Sequence, residues 1–168
     1  MVNADGSKYD FVIGPRLGRT NSKEQYAVLF NTARIEVDRG SVYTVDDPQD
    51  LLHREPMVAR FRVRGPPTEQ AFTFNLVDIH TDPDETVTEL DALGDVFVGV
   101  ERKAGGGDVI LLGDLNVDDK HFGKLGQLPG IGHAITGTTT NTRRNKMYDN
   151  IVLNQQAAAK YTGRSGVL

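Results

Sequence analysis

Apolar residues along this chain alternate with polar ones or gather in short blocks, and the two patterns divide it into many strands and few helices. Between Met57 and Arg64, the residues Met57, Ala59, Phe61 and Val63 share one parity while Arg60, Arg62 and Arg64 take the other. That period of two is the signature of a half-buried strand. Gln25 to Phe30, Ala71 to His80, Val109 to Leu112 and Tyr148 to Leu153 also read as strands, with Ile35 to Val37 and Phe11 to Ile13 as weaker candidates. Val109 to Leu112 is apolar on both sides, as a central strand is.

One helix stands out. Asp82-Pro83-Asp84-Glu85 offers an N-cap, a proline in the first turn and a carboxylate three residues on, and Leu90, Leu93, Phe97 and Val100 follow at helical spacing. A helix is therefore expected from about Pro83 to Lys103, ended by the connector Gly105-Gly106-Gly107. A shorter turn within Lys120 to Leu128 is weakened by its glycines. A helix crossing between two strands, in a chain otherwise made of strands, predicts a mixed sheet or a pair of sheets covered by helices on an outer face.

Length and composition narrow the setting. The chain has 168 residues with 38% apolar content, enough for one domain over residues 1–168. No apolar run approaches the ~20 residues that span a bilayer, and MVNADGSKYD lacks the basic and apolar regions of a signal peptide. The absence of cysteine excludes disulfides and thiolate metal sites. A net charge of −4 argues against a broad basic surface for nucleic acid, but suits an acidic cleft that meets phosphate through a bound cation.

Candidate chemistry lies at strand ends. Phe72, Phe74 and Leu76 share a face that Asp78 and His80 continue. Asp114 and Asn116 share parity just past a buried strand, and Asp149 shares parity with Ile151 and Leu153. Carried back across Pro56, the register of the next strand puts Glu55 on its buried face. Polar groups on otherwise apolar faces are costly unless paired, so several gathered at strand ends suggest a site. A histidine beside a carboxylate can move a proton near neutral pH, and a carboxylate with an amide can hold a hard cation and a phosphate oxygen. Taken singly, each has a plainer reading. His80 reads as a strand-end residue bonded to the helix cap, Asp114-Leu115-Asn116 as an Asx turn, Asp149-Asn150 as a solvated pair, and Arg54-Glu55 as a surface ion pair. Thr136 to Lys146 reads either as a mobile loop or as a phosphate-contacting one through Arg143, Arg144 and Asn145.

In order, these motifs resemble the endonuclease/exonuclease/phosphatase superfamily, and within it the deoxyribonuclease I branch. The matching pieces are Leu17-Gly18-Arg19, Lys23-Glu24-Gln25-Tyr26, Arg54-Glu55-Pro56, Ile79-His80-Thr81 with Pro83, Gly113-Asp114-Leu115-Asn116, and Tyr148-Asp149-Asn150-Ile151. The resemblance implies an α/β four-layered sandwich, two mostly antiparallel sheets flanked by helices, with the site at one end of the sheets. It implies that His80 is the general acid with Glu55 holding its ring, and that Asp114, Asn116 and Asp149 bind metal and the scissile phosphate. Arg19, Tyr26, Arg54, Asn141 and Arg143 are the substrate-contacting candidates. The implied cofactor is Mg²⁺, with Ca²⁺ or Mn²⁺ as alternatives, and the implied substrate is DNA.

Members of the superfamily also carry an earlier strand with asparagine, a strand ending in a metal-binding glutamate, and a late Asp-His pair. This sequence shows none of these, which reads as an internal fragment of low activity with open sheet edges prone to self-association. A phosphoesterase for lipid or inositol phosphodiesters, and a catalytically incomplete binding module for nucleic acid or protein, are the competing readings.

Overall fold

A computed structural model describes residues 3, 4 and 6–168; residues 1, 2 and 5, part of the opening stretch read for a signal peptide, lie outside the described residues. The strands are β1 (Tyr9–Ile13), β2 (Ala27–Asn31), β3 (Ile35–Thr44), β4 (Met57–Val63), β5 (Thr73–His80), β6 (Asp108–Asp114), β7 (Gly132–His133) and β8 (Asp149–Leu153). The helices are α1 (Thr86–Lys103), α2 (Gly123–Gly126) and α3 (Gln155–Lys160).

Six strands form one sheet in the order β3-β4-β5-β6-β8-β7, and β1 and β2 form a separate two-stranded ribbon. All pairings are antiparallel except β5 with β6. A parallel pair needs a crossover connection, and α1 supplies it. The sheet therefore has two apolar faces. Val58, Val77, Ile79, Val109, Leu111 and Val152 pack on Leu90, Leu93, Phe97 and Val100 of α1. On the other face Met57, Ala59, Phe61 and Leu76 pack against Val12, Tyr26 and Phe30 at the ribbon. The result is an α/β sandwich of two sheets with helices, in keeping with the expected class. Among the described residues no helix covers the outer side of the ribbon, where Phe11 and Leu29 sit opposite each other and are exposed.

Two glycines are required by close approach. Gly113 has φ +147, and a Cβ there would lie 1.7 Å from the carbonyl oxygen of Ile79. At Gly94 a Cβ would come within 3.2 Å of the Leu125 amide, so α1 and α2 touch through backbone.

Several boundaries differ from expectation. α1 begins at Thr86 because Asp82 does not cap it: Asp82 Oδ1 accepts from the Asp84 amide at 2.9 Å in a local turn. β3 runs ten residues, well past Val37, because an irregularity between Asp38 and Tyr43 lets it resume pairing with β4. Ser41 Oγ fills part of that gap by accepting from the Arg60 amide at 2.8 Å. α3 was not expected, although Asn154 caps it in the usual way, accepting from the Ala157 amide at 3.0 Å. Among the described residues no helix is long and apolar enough to cross a membrane.

Candidate active site

The ends of β5, β6 and β8 meet in one row. His80 lies in register with Asp114, and Asp114 with Asp149. The sheet thus sets three strand-end side chains side by side on the face that carries Phe74 and Leu76, the face on which parity places His80.

The ring of His80 is held from outside the sheet. Its Nδ1 lies 2.7 Å from Glu24 Oε2, and its Nε2 faces Asp114 Oδ2 at 3.9 Å, beyond hydrogen-bond reach. A carboxylate at Nδ1 accepts a hydrogen bond from Nδ1–H and leaves Nε2 as the atom free to exchange a proton. The expected holder, Glu55, does not fill this role. Glu24 stands at Nδ1 instead, and among the described residues no ion pair joins Glu55 to His80. Glu24 was a matched motif residue whose role sequence reasoning missed. The signal was present: Glu24 has the parity of Tyr26, an apolar position that packs inward. An antiparallel bridge between Leu17 and Glu24 fixes the segment.

Arg54 is 6% exposed, which rules out a surface ion pair, and its guanidinium is engaged within the chain. Its Nε donates to the His80 carbonyl at 3.0 Å, an Nη donates to the Thr81 carbonyl at 3.3 Å, and the other Nη stands 3.4 Å from Glu24 Oε1. Tyr26, also expected at substrate, is buried behind His80. Its hydroxyl accepts from the His80 amide at 3.0 Å and donates to the Arg54 carbonyl at 3.4 Å. Burial pushes that hydroxyl's pKa up.

Asp114 and Asn116 form an Asx turn as well as part of the site. Asp114 Oδ1 accepts from the Asn116 amide at 2.9 Å, and Asn116 sits at φ +52, a conformation asparagine tolerates. The Asn116 amide nitrogen donates to the Thr81 carbonyl at 2.8 Å, leaving its side-chain oxygen open. Burial holds the Asp114 carboxyl above its ordinary range, and the charge of Asp149 adds to the rise, against the opposing pull of the Asn116 amide, His80 and Arg54. Two carboxylates and an amide oxygen are a hard-cation donor set. Among the described residues no group of three or more His, Asp or Glu is gathered closely enough to hold a metal by itself. These donors fit part of a coordination shell.

The remaining substrate candidates divide. Arg19 is tied to Asp50 and Glu85 by ion pairs at 3.1 and 2.5 Å. Asn141 accepts from the amides of Asn145 and Lys146, both at 3.0 Å, so it orders its own loop. Arg143 and Arg144 are exposed on that loop. Thr140 Oγ1 accepts from the Tyr148 and Asp149 amides at 2.9 and 3.0 Å, which ties the loop to the start of β8 and hence to the row.

No family model matches the chain. It is 34% identical over 158 residues to Deoxyribonuclease-1 of Oryctolagus cuniculus, covering 86% of this chain and 55% of that protein. It is 33% identical over 162 residues to Deoxyribonuclease-1-like 1 of Rattus norvegicus, covering 90% and 50%. The chain thus spans about half the length of the curated relatives it matches. A solved endonuclease/exonuclease/phosphatase family protein from Bacteroides thetaiotaomicron shares the fold, with TM-score 0.56 and 16% identity over 87% of this chain and 59% of that one.

Proposed function

We infer that this chain, which belongs to the deoxyribonuclease I-like branch of the endonuclease/exonuclease/phosphatase superfamily, carries the central part of the active site of a divalent-metal-dependent phosphodiesterase that cleaves DNA. The observation that supports this best is the Glu24–His80–Asp114 row, with Nδ1 of His80 engaged and Nε2 free toward Asp114.

In this reading Nε2 of His80 gives a proton to the leaving oxygen. Glu24 holds the ring, and Arg54 with Tyr26 fixes the backbone on which the ring sits. Asp114, Asp149 and the open oxygen of Asn116 would hold the cation, Mg²⁺ being the hard ion such donors favour over softer metals. When bound, that ion supplies positive charge to the phosphate oxygens. DNA is favoured over a lipid phosphodiester by Arg143 and Arg144, exposed on the loop tied to Asp149.

The test is nicking of supercoiled plasmid with Mg²⁺ by the whole protein, beside His80→Ala. Nicking that collapses in the variant supports the reading. A folded protein that leaves plasmid intact refutes DNA as substrate.

A further inference from the structure

We propose that Glu89 is a positioning residue for the Glu24–His80 pair, clamping together the two chain segments that carry Arg54 and His80. The proposal deepens the reading above and rests on the same pair of residues.

Glu89 lies in the first turn of α1 and is 0% exposed. Its two oxygens reach different segments: Oε1 accepts from the His53 amide at 2.7 Å, and Oε2 accepts from the Asp82 amide at 2.5 Å. Each of those amides adjoins the site. His53 precedes Arg54, whose guanidinium donates to the carbonyls of His80 and Thr81. Asp82 follows Thr81, whose carbonyl also accepts from Asn116. The clamp therefore sets the distance between the backbone that carries Arg54 and the backbone that carries His80.

A buried carboxylate is expensive. Among the described residues no cation is hydrogen-bonded to Glu89, and burial pushes its carboxyl up against the pull of the two amides and of Arg54. Packing does not call for it, since Leu90, Leu93 and Phe97 on the same helix are apolar. A carboxylate does one thing here that glutamine of the same size does not. It accepts from two amides at once, whereas glutamine offers one oxygen and turns an NH₂ toward the second amide. With one amide orphaned, residues 80–82 are free to shift, and a 2.7 Å contact between His80 and Glu24 is lost by a displacement of well under the length of a bond.

Solution NMR of the ring N–H protons reads the pair in this chain without any cleavage assay, so absence of nuclease activity and failure of the clamp are separate results. The wild-type chain is expected to show a slowly exchanging downfield His80 Nδ1 proton, assigned by its loss in Glu24→Gln. Glu89→Gln is expected to lose that signal while its methyl spectrum remains that of a folded protein. Leu93→Ala opens a cavity on the same helix without touching the clamp and is expected to keep it. Where glutamine does not fold, Glu89→Asp, one methylene shorter, replaces it with the same expectation. Persistence of the signal in the Glu89 variant overturns the proposal. So does its loss in Leu93→Ala, which would make general loosening of α1 sufficient, and so does a wild-type chain without the signal.

Discussion

Nδ1 of His80 and Oε2 of Glu24 stand 2.7 Å apart although 56 residues separate them in the chain. The contact joins the end of a central strand to an irregular segment ahead of the ribbon strand β2. It therefore exists only when the ribbon is docked on the six-stranded sheet, and the site and the inter-sheet core form together.

Glu24, rather than Glu55, is expected to govern the proposed proton transfer. In plasmid nicking by the whole protein, His80→Ala should lower the rate by about 10²–10⁴-fold and Glu24→Gln by at least about tenfold. Glu55→Gln should leave the rate near wild type. A large loss in Glu55→Gln with none in Glu24→Gln would reverse the assignment.

Asp78 makes stability depend on pH. It lies on β5 between Met57 and Leu112, on a largely apolar face, and burial pushes its carboxyl from 3.8 up to about 6. The folded state thus binds the Asp78 proton more tightly than the unfolded chain does. This group favours folding at low pH, and that contribution is lost as pH rises from about 4 through about 6. With partial exposure allowed for, the loss is about 1–2 kcal/mol. Asp78→Asn should raise the urea midpoint at pH 8 and change it little at pH 4. An Asn variant that is the less stable at pH 8 would show that the ionised carboxylate is favourable there.

Gly113→Ala should unfold β6 from β5. Neither the positive φ nor the 1.7 Å approach to Ile79 can be relieved by a side-chain rotation, so a loss above about 4 kcal/mol is expected. Circular dichroism through a urea titration measures it. A folded alanine variant of wild-type stability would mean that the backbone at Gly113 is free to move.

Arg54→Lys should not be a mild change. The guanidinium reaches two carbonyls and Glu24 from a nearly closed site, and a lysine cannot reproduce that fork. Chemical denaturation should show a loss of about 2–3 kcal/mol, and nicking should fall with it because the His80 carbonyl is released. Retained stability with reduced nicking would instead place Arg54 at substrate.

Much of this protein was determined by its sequence alone. Period-two alternation in Met57 to Arg64, the doubly apolar run at Val109 and the helical spacing of Leu90, Leu93, Phe97 and Val100 are local properties, and β4, β6 and α1 followed from them. The same parity put His80, Asp114 and Asp149 each at a strand end, and pairing brought them onto one face in a row. Only the tertiary structure decided which polar groups face one another. Parity tells which side of its own strand a residue occupies; it is silent on which distant segment covers that side. So Glu24 rather than Glu55 holds the His80 ring, Tyr26 and Arg54 brace its backbone from behind, and Arg19 and Asn141 are engaged within the chain. No local pattern singles out Glu89, onto which folding closes two backbone amides. Each of these contacts joins segments whose meeting depends on burying the apolar faces of the whole sandwich, and a local pattern carries no record of that.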